Sequence, residues 1–269
     1  MPELPEVETI CRLLRTTLED RPIVRVQVVP DPIVFKGIPA EQLEKHLEGN
    51  RVTRVGRKGK FFWLELEAKP ALLGHLGMSG WVEEFDSNAE LPRFTKLALY
   101  VDGTAVAFKD ARRLGRLWLA DDPRKDRAIA KLGFDALEEL PSAEALQEAL
   151  RRRTGPIKGV LLDQTCLAGI GNYLADEILY HSRIPPKAPA AELSRPQVET
   201  LRRIIRKVIK AAVDVGADET KFPANWLFHH RWGGKRGPEK IGGRLIVREE
   251  VAGRTTAWVP SVQSPKDKA

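Results

Sequence analysis

The spacing of apolar residues changes twice along this 269-residue chain, and that change limits the folds it can adopt. Near the start, apolar residues recur every three or four positions, which predicts one amphipathic helix from residue 4 to about 19. From Ile23 to about Ala120 the spacing becomes two, and Gly, Pro and Asp-Gly turns separate several short strands. From Ser142 to about Val215 the helical spacing returns, with Ser194 as the N-cap predicted for the last helix. The pattern predicts an α+β fold, in which an N-terminal helix and an antiparallel β-sandwich are followed by a C-terminal helical domain.

Periodicity and turn residues also predict where the domains begin and end. The segment 121–135 is charged and weakly periodic, so we predict an interdomain linker there. Residues from Lys240 to about Val259 alternate as in a two-stranded hairpin that carries Arg254. Because isolated hairpins are marginally stable, we expect it to pack on the helical domain. The predicted parts are an N-terminal domain (1–120), the linker (121–135), a helical domain (136–225), a hairpin finger (226–263) and a frayed tail (264–269).

The charge of the chain is unevenly distributed. The net charge is +7, but residues 1–150 carry 22 Lys and Arg against 25 Asp and Glu, or −3, whereas residues 151–269 carry 22 against 12, or +10. A basic half joined to a near-neutral half suggests that one part grips a polyanion while the other acts more specifically on it. A solvated surface with a charge bias is the alternative.

Composition excludes several classes of protein. Cys11 and Cys166 lie far apart and neither belongs to a CxxC pair, so we expect no disulfide framework, no metal site and no cofactor. No apolar run approaches the length of a membrane span, and the charged start is unlike a secretory signal. We therefore expect a soluble, intracellular protein.

The first residues of the chain are suited to covalent chemistry. If Met1 were removed, Pro2 would become the N-terminus and would present a secondary amine. An α-amino group titrates near pH ~8, so part of it is uncharged at neutral pH and can condense with an aldehyde-like carbon to an iminium. Glu3 and Glu6 lie one helical turn apart beside it, as acid–base catalysis requires. Alternatively, these residues only begin a helix whose positive end favours carboxylates.

Three turns in the sandwich region combine glycine with cations or with a large apolar residue. Lys60 follows a Gly-flanked basic turn that fits a phosphate or a solvated hairpin tip. Met78 lies in a glycine-rich loop, where it would be either an exposed apolar tip or core filling. Arg112 and Leu114 lie in a third turn, at residues 110–115. Taken alone, each of these turns is also explained as an ordinary solvated loop.

The segment Ala168–Asn172 contains a GxG sequence but is not predicted to be a dinucleotide-binding loop. Leu174 replaces the third glycine, and a helix rather than a strand precedes the loop. What remains is a helix, two tight turns and a second helix, with Lys158 and Asn172 at ends that would point outward together. Backbone amides at a helix start, with a Lys and an Asn, form a phosphate clamp. Positioning without sequence preference suits an enzyme that scans duplex DNA.

Together, these segments resemble the formamidopyrimidine-DNA glycosylase and endonuclease VIII family. The similarity runs from Pro2 to about Pro260, and the motifs fall in the family's order. They are Pro-Glu-Leu-Pro-Glu-Val-Glu-Thr at 2–9, Gly-Lys-Phe at 59–61, His-Leu-Gly-Met-Ser-Gly at 75–80, the turn at 110–115, and Gly-Ile-Gly-Asn-Tyr-Leu-Ala-Asp-Glu at 169–177.

The resemblance implies a bifunctional DNA glycosylase and AP lyase of base excision repair, which excises oxidised bases and cuts the strand by β,δ-elimination. Pro2 would attack C1′ of the damaged nucleotide, Glu3 would be general acid and proton shuttle, and Glu6 would support the site. Lys60 would bind the phosphate at the lesion. The partner would be double-stranded DNA with oxidised bases or abasic sites, and the enzyme would act as a monomer.

The resemblance also implies a set of DNA contacts. Some residues would bind phosphates from the helix-two-turns-helix and the hairpin, and others would enter the duplex once the damaged nucleotide has flipped out. The phosphate contacts would be Lys158, Asn172 and Arg254, and the inserted residues would be Met78, Arg112 and Leu114.

Three departures from the family pattern matter. The tail has no cysteine where many members have a zinc finger, so the hairpin is predicted to be a zincless finger, as in the plant and fungal branch. Leu114 occupies a position that is usually Phe in the formamidopyrimidine branch. The segment from about Gly216 to Gly234 looks shorter than in members that fold a loop over 8-oxoguanine. We therefore expect weak activity on 8-oxoguanine, with formamidopyrimidines, hydantoins and abasic sites preferred.

Three alternatives stay open at this point. An endonuclease VIII-like preference for oxidised pyrimidines is compatible with Leu114. A protein that binds lesions without cutting, or one whose DNA binding depends on a metal, would share the basic C-terminal half.

Overall fold

The computed structural model describes residues 2–232 and 239–264. Met1, residues 233–238 of the predicted finger and residues 265–269 of the predicted tail lie outside this description. The chain divides into two compact units between Lys131 and Leu132. That boundary falls inside the segment predicted as a linker, which also contains short helical turns, at Pro123–Lys125 and Arg127–Ala130.

Side-chain caps begin two helices of the second unit, one of them at the predicted Ser194. The described α-helices are α1 (Leu4–Leu18), α2 (Ala40–Leu47), α3 (Arg127–Ala130), α4 (Ala143–Arg151), α5 (Ile157–Leu162), α6 (Asn172–Ser182) and α7 (Arg195–Asp214). Ser142 caps α4, because its Oγ accepts the amide of Ala145 at 3.2 Å. Ser194 and Gln197 form a capping box at the start of α7.

The predicted amphipathic first helix is confirmed by α1. Its apolar side chains are almost completely buried, and they are Leu4, Val7, Ile10, Leu14 and Leu18. All but the first of them belong to the core of the first unit. Burying each aliphatic side chain contributes roughly 1.5–3 kcal/mol. The N-terminal end of α1 is therefore held firmly against the rest of that unit.

The first unit is the predicted antiparallel β-sandwich. Its strands are β1 (Arg25–Val28), β2 (Val52–Lys58), β3 (Phe61–Leu66), β4 (Ala71–His75), β5 (Trp81–Phe85), β6 (Thr95–Val101), β7 (Thr104–Lys109) and β8 (Arg116–Ala120). One sheet has the order β1-β6-β7-β5 and the other β2-β3-β4-β8. Phe62 of one sheet stacks on Phe108 of the other, with ring centroids 5.8 Å apart, so the two inner faces share one core.

The second unit contains α4 to α7 and several short strands. These strands are β9 (Phe134–Asp135), β10 (Leu167–Ala168), β11 (Lys240–Ile241), β12 (Arg244–Leu245), β13 (Val247–Val251) and β14 (Arg254–Trp258). The helices α5 and α6, with the turns between them, form the predicted helix-two-turns-helix. Strands β13 and β14 form the predicted hairpin. Its turn residues Ala252 and Gly253 both have positive φ, of 52° and 69°, so Arg254 begins the return strand.

The hairpin packs on the helical part of the second unit, as predicted. The ring of Tyr173, on α6, lies 6.3 Å from that of Phe222 and 5.2 Å from that of Phe228. A second apolar cluster joins the end of this aromatic segment to the strands, and its buried members are Leu227, Ile241, Ile246, Ala257 and Val259. Among the described residues, no helix is both long and apolar enough to cross a membrane.

Candidate active site and nucleic-acid interface

The N-terminal end of α1 holds two carboxylates in fixed positions next to Pro2. Glu3 is the N-cap residue and forms a capping box with Glu6, in which each side chain accepts the other's backbone amide. The Glu3 amide lies 2.8 Å from Oε2 of Glu6. Glu3 is only 2% exposed, whereas Pro2 is half-buried. The two interpretations of these residues are therefore compatible, because the arrangement that begins the helix also holds two carboxylates beside Pro2.

A buried ion pair connects α1 to the turn that precedes Lys60. Nε of Arg57 lies 2.9 Å from Oε2 of Glu8, and a second Arg57 nitrogen donates to the Gly59 carbonyl at 3.2 Å. Burial alone would raise the pKa of the Glu8 carboxyl, but hydrogen bonds from Arg57 and Arg15 outweigh it and lower that pKa. Arg57, a cation of the basic stretch before Lys60, is thus structural, and it fixes the backbone from which Lys60 extends.

His75 lies beside Lys60 and was not among the predicted site residues. It pairs with Phe61 across β3 and β4, and the two rings lie 4.7 Å apart. Burial, together with the charges of Lys60 and Arg116, lowers the pKa of His75 to about 4. Its Nδ1 accepts the Gly77 amide at 3.1 Å, so the neutral ring carries its proton on Nε2. The sequence feature that could have indicated His75 is its position, as a titratable residue, in the glycine-rich motif 74–80.

The loops that carry Met78 and Leu114 form one structural unit. Both side chains are exposed, by 46% and 38%. Asp110 is buried between the loops: its Oδ1 accepts the Ser79 hydroxyl at 2.7 Å, and its Oδ2 accepts the Gly115 amide at 2.6 Å. A Cβ at residue 77, which is a glycine with φ of 61°, would overlap the Leu114 carbonyl. The loops approach so closely that both apolar tips project from one rigid base.

Arg113 has a different role from the exposed Arg112 beside it. Arg113 adopts a positive φ of 57° and makes a bidentate pair with the buried Asp31, at 2.8 and 3.0 Å. Lys96 reaches the same carboxylate at 3.0 Å. Burial would raise the pKa of Asp31, but these donors hold it well below the ordinary range. The pair fixes the strained residue of the 110–115 turn and leaves Arg112 on the surface.

In the second unit, Lys158 does not point outward, and that prediction was wrong. Its side chain is fully buried, and Nζ lies 2.6 Å from Asp176 Oδ1, 2.6 Å from Thr256 Oγ1 and 3.2 Å from the Thr255 carbonyl. Burial lowers the pKa of Lys158, as do the charges of Arg231 and Arg254, against the attraction of Asp176. The error arose because these acceptors come from α6 and β14, which local sequence spacing does not place.

Asn172 lies at the start of α6 and contacts the hairpin close to Arg254. Its Nδ2 donates to the Thr255 carbonyl at 3.0 Å, so Asn172 and Lys158 share that acceptor. Arg254 precedes Thr255 and is exposed. The helix-two-turns-helix and the hairpin thus meet at the Thr255 carbonyl, which directly follows Arg254 in the chain.

Across residues 2–232 and 239–264, no group of three or more His, Cys, Asp or Glu is arranged to hold a metal ion. Cys11 and Cys166 are both buried, and neither belongs to the hairpin.

A sandwich whose first helix begins beside Pro2, followed by a helix-two-turns-helix and a hairpin that presents an exposed arginine, defines a class of protein that binds DNA and modifies it. The family model for the formamidopyrimidine-DNA glycosylase N-terminal domain matches residues 1–117, and the model for the H2TH domain of the same glycosylases matches residues 132–224. The chain belongs to the formamidopyrimidine-DNA glycosylase family.

Individual relatives agree with this assignment. The chain is 36% identical to an Arabidopsis thaliana formamidopyrimidine-DNA glycosylase, over 98% of this chain and 71% of that protein. It is 34% identical to the Thermus thermophilus glycosylase, over 98% of each chain. The crystal structure of the Lactococcus lactis glycosylase, bound noncovalently to DNA containing an abasic site, superposes with a TM-score of 0.83 at 26% identity and covers 98% of this chain and 100% of that one.

Proposed function

We propose that this protein is a bifunctional DNA glycosylase and AP lyase of base excision repair, acting through the N-terminal amine of Pro2. The observation that carries the proposal is the capping box at the start of α1, which holds the buried Glu3 carboxylate beside Pro2. A nucleophile next to a fixed acid is what covalent catalysis at a sugar carbon needs. The family of the chain supports the same activity.

The proposed chemistry follows from a secondary amine. After removal of Met1, the nitrogen of Pro2 attacks C1′, the glycosidic bond breaks, and the base leaves with a proton. Glu3 protonates the ring oxygen of the sugar, so that the ring opens and an iminium forms with Pro2. The iminium acidifies the C2′ proton, whose loss expels the 3′ phosphate, and a second elimination expels the 5′ phosphate. Glu6 supports the site by fixing the Glu3 backbone.

Each unit contributes proposed contacts to the DNA. In the first, Lys60 binds the phosphate at the lesion, and the neutral His75 can donate from Nε2 beside it. Met78, Arg112 and Leu114 enter the space left by the flipped nucleotide, which offsets part of the cost of unstacking. Their exposure on a rigid base supports this role.

In the second unit, Asn172 and Arg254 bind phosphates. Lys158 supports them from beneath, because its buried ammonium ends on the Thr255 carbonyl next to Arg254. In this proposal the protein works inside the cell, as a monomer bound to DNA. Its substrate is duplex DNA that contains oxidised bases or abasic sites.

The proposed substrates are formamidopyrimidines and hydantoins, with weak activity on 8-oxoguanine. Weak activity on 8-oxoguanine requires that the segment after α7 does not fold over the flipped base. Phe222 and Phe228 of that segment pack on Tyr173 instead, which supports the preference. A preference for oxidised pyrimidines is the second candidate. It is favoured by Leu114, whose exposed side chain is smaller than the Phe that usually occupies this position in the formamidopyrimidine branch.

Single-turnover kinetics on duplexes with one defined lesion each would test the function and its substrates. We expect excision of formamidopyrimidine and hydantoin lesions to be faster than that of 8-oxoguanine, with products ending in phosphate on both sides of the gap. Faster excision of thymine glycol than of hydantoins would support the second candidate instead. Intact strands with every lesion and with abasic sites would contradict the proposed activity.

A further inference from the structure

The hairpin finger contains no cysteine, so other interactions must fix its position relative to α6. Two consecutive acidic residues of α6, Asp176 and Glu177, are almost completely buried against it. We propose that Asp176 is the positioning residue that joins both parts of the finger to the helix-two-turns-helix and so sets the position of Arg254. This inference rests on the proposed function only where it concerns DNA.

Asp176 accepts hydrogen bonds from three separate parts of the second unit. Its Oδ1 binds Nζ of Lys158, on α5, at 2.6 Å. Its Oδ2 binds Nη2 of Arg231, in the first part of the finger, at 2.8 Å, and the amide of Ala257, on β14, at 3.2 Å. One carboxylate therefore connects a helix and both chain segments of the finger.

Glu177 holds the first part of the finger at its backbone. Its two carboxylate oxygens accept the amides of Leu227 and Phe228, at 3.0 and 2.8 Å. These amides lie at the start of the short 3-10 helix Leu227–His230, where backbone donors need partners. Arg231 follows directly, so Glu177 brings the guanidinium to Asp176. Glu177 thus fixes the backbone of the segment 227–231, whereas Asp176 pairs with the charge of Arg231 at its end.

The charge balance makes Asp176 the critical member of this network. Lys158 is fully buried and Arg231 is 7% exposed, so two cations share one carboxylate. Removing one member of a buried ion pair leaves an uncompensated charge, which is strongly destabilising. Without Asp176, Lys158 and Arg231 would repel each other inside the second unit. The hydroxyl of Thr256, at 2.6 Å from Lys158 Nζ, would be too weak a substitute.

The consequence for Arg254 follows from the chain. Arg254, Thr255, Thr256 and Ala257 are consecutive on β14. Each of the last three is held by a hydrogen bond to the helices. The Thr255 carbonyl accepts from Lys158 and Asn172, and the Thr256 hydroxyl accepts from Lys158. The Ala257 amide donates to Asp176. A loss of these bonds frees the strand immediately after Arg254. Arg254, which directly precedes this stretch, then loses the contacts that set its position.

Hydrogen exchange of the DNA-free protein tests the positioning role without relying on enzymatic activity. In Asp176→Asn we expect amides of 255–258 and 227–231 to exchange faster by about a factor of ten or more, with α1 unchanged. Asp214→Asn, an exposed carboxylate on α7, is the matched control and should change neither segment. Unchanged exchange in Asp176→Asn would overturn the inference. If that variant does not fold, Thr256→Val decides, and it should accelerate exchange at 255–258 to a smaller extent.

A double-mutant cycle then connects the network to DNA binding. Arg254→Ala should lower the salt dependence of binding to duplex with an abasic-site analogue by about one unit of slope. In the Asp176→Asn background, the same change should have no further effect, because Arg254 is already displaced. Additive effects of the two substitutions would contradict the inference. Faster exchange in Asp176→Asn, together with no measurable DNA binding by the wild type, would retain Asp176 as a positioning residue and reject the proposed function.

Discussion

At the residue scale, the start of α1 assigns different tasks to two similar carboxylates. The Glu6 side chain accepts the Glu3 amide, so its position is determined by the helix start. Glu3 is the more deeply buried of the two and lies directly after Pro2. This difference is why the proposal gives proton transfer to Glu3 and a supporting role to Glu6.

Substitutions of Glu6 should separate its capping role from its charge. Glu6→Gln keeps an oxygen that can accept the Glu3 amide, whereas Glu6→Ala removes it. Loss of a cap costs about 0.5–2 kcal/mol. We expect urea unfolding to show a loss of that size for Glu6→Ala and a much smaller one for Glu6→Gln. Equal losses in the two variants would show that the capping hydrogen bond does not matter.

His75 should give the first unit a measurable dependence on pH. Its pKa is lowered from 6.5 to about 4, mainly by burial, so the unfolded state binds more protons between those values. Stability should therefore fall as pH decreases from about 6.5 to 4, by on the order of 3 kcal/mol for this group, since each pKa unit is about 1.4 kcal/mol.

The measurement is the free energy of unfolding of the wild type and of His75→Asn, at pH 7 and near pH 4.5. Asn can accept the Gly77 amide but does not titrate, so the wild type should lose more stability than the variant on acidification. Parallel losses in the two proteins would contradict a buried neutral His75.

At the scale of elements, buried carboxylates join helices, loops and strands that are far apart in sequence. The Glu8–Arg57 pair joins α1 to the turn before Lys60, and Asp110 joins the Met78 loop to the 110–115 turn. Asp31 fixes Arg113 in the same turn. The exposed tips therefore rest on buried carboxylates that take no part in the proposed chemistry.

Asp110→Asn should impair action on duplex DNA more than action on single strands. In the proposed function, Met78, Arg112 and Leu114 enter the duplex and so matter only where an opposite strand is present. A hydrogen bond to a buried charged group contributes about 1.5–3 kcal/mol, or roughly tenfold or more in rate. We expect excision from lesion duplexes to fall by about that factor, while cleavage of single-stranded abasic DNA changes little. Asp102→Asn, in the exposed β6–β7 turn, is the control. An equal loss on both substrates would refute the coupling of the loops.

Sequence spacing predicted those features of the fold that depend on neighbouring residues. The amphipathic α1, the Ser194 cap of α7 and the hairpin before Arg254 are all visible in local pattern. The burial of Lys158 was not, because its partners Thr255 and Thr256 lie almost a hundred residues away. The structural role of Arg57 was missed for the same reason, since Glu8 is 49 residues distant.

At the scale of the whole molecule, the uneven charge fits the division of tasks in the proposed function. The C-terminal half, with its net charge of +10 from 22 basic and 12 acidic residues, contains the helix-two-turns-helix and the hairpin. The near-neutral N-terminal half contains the amine, the carboxylates and the exposed apolar tips. In the proposed function, nonspecific affinity for a polyanion therefore belongs mainly to residues 151–269 and the chemistry to residues near the N-terminus.

The central claim is that the amine of Pro2 forms the covalent intermediate, and borohydride trapping tests it most directly. Protein shown by mass spectrometry to begin at Pro2 is incubated with duplex containing one abasic site, reduced, and digested. We predict a covalent complex whose DNA adduct lies on the N-terminal peptide, at Pro2. Absence of a covalent complex, or an adduct on a lysine such as Lys60, would contradict the account.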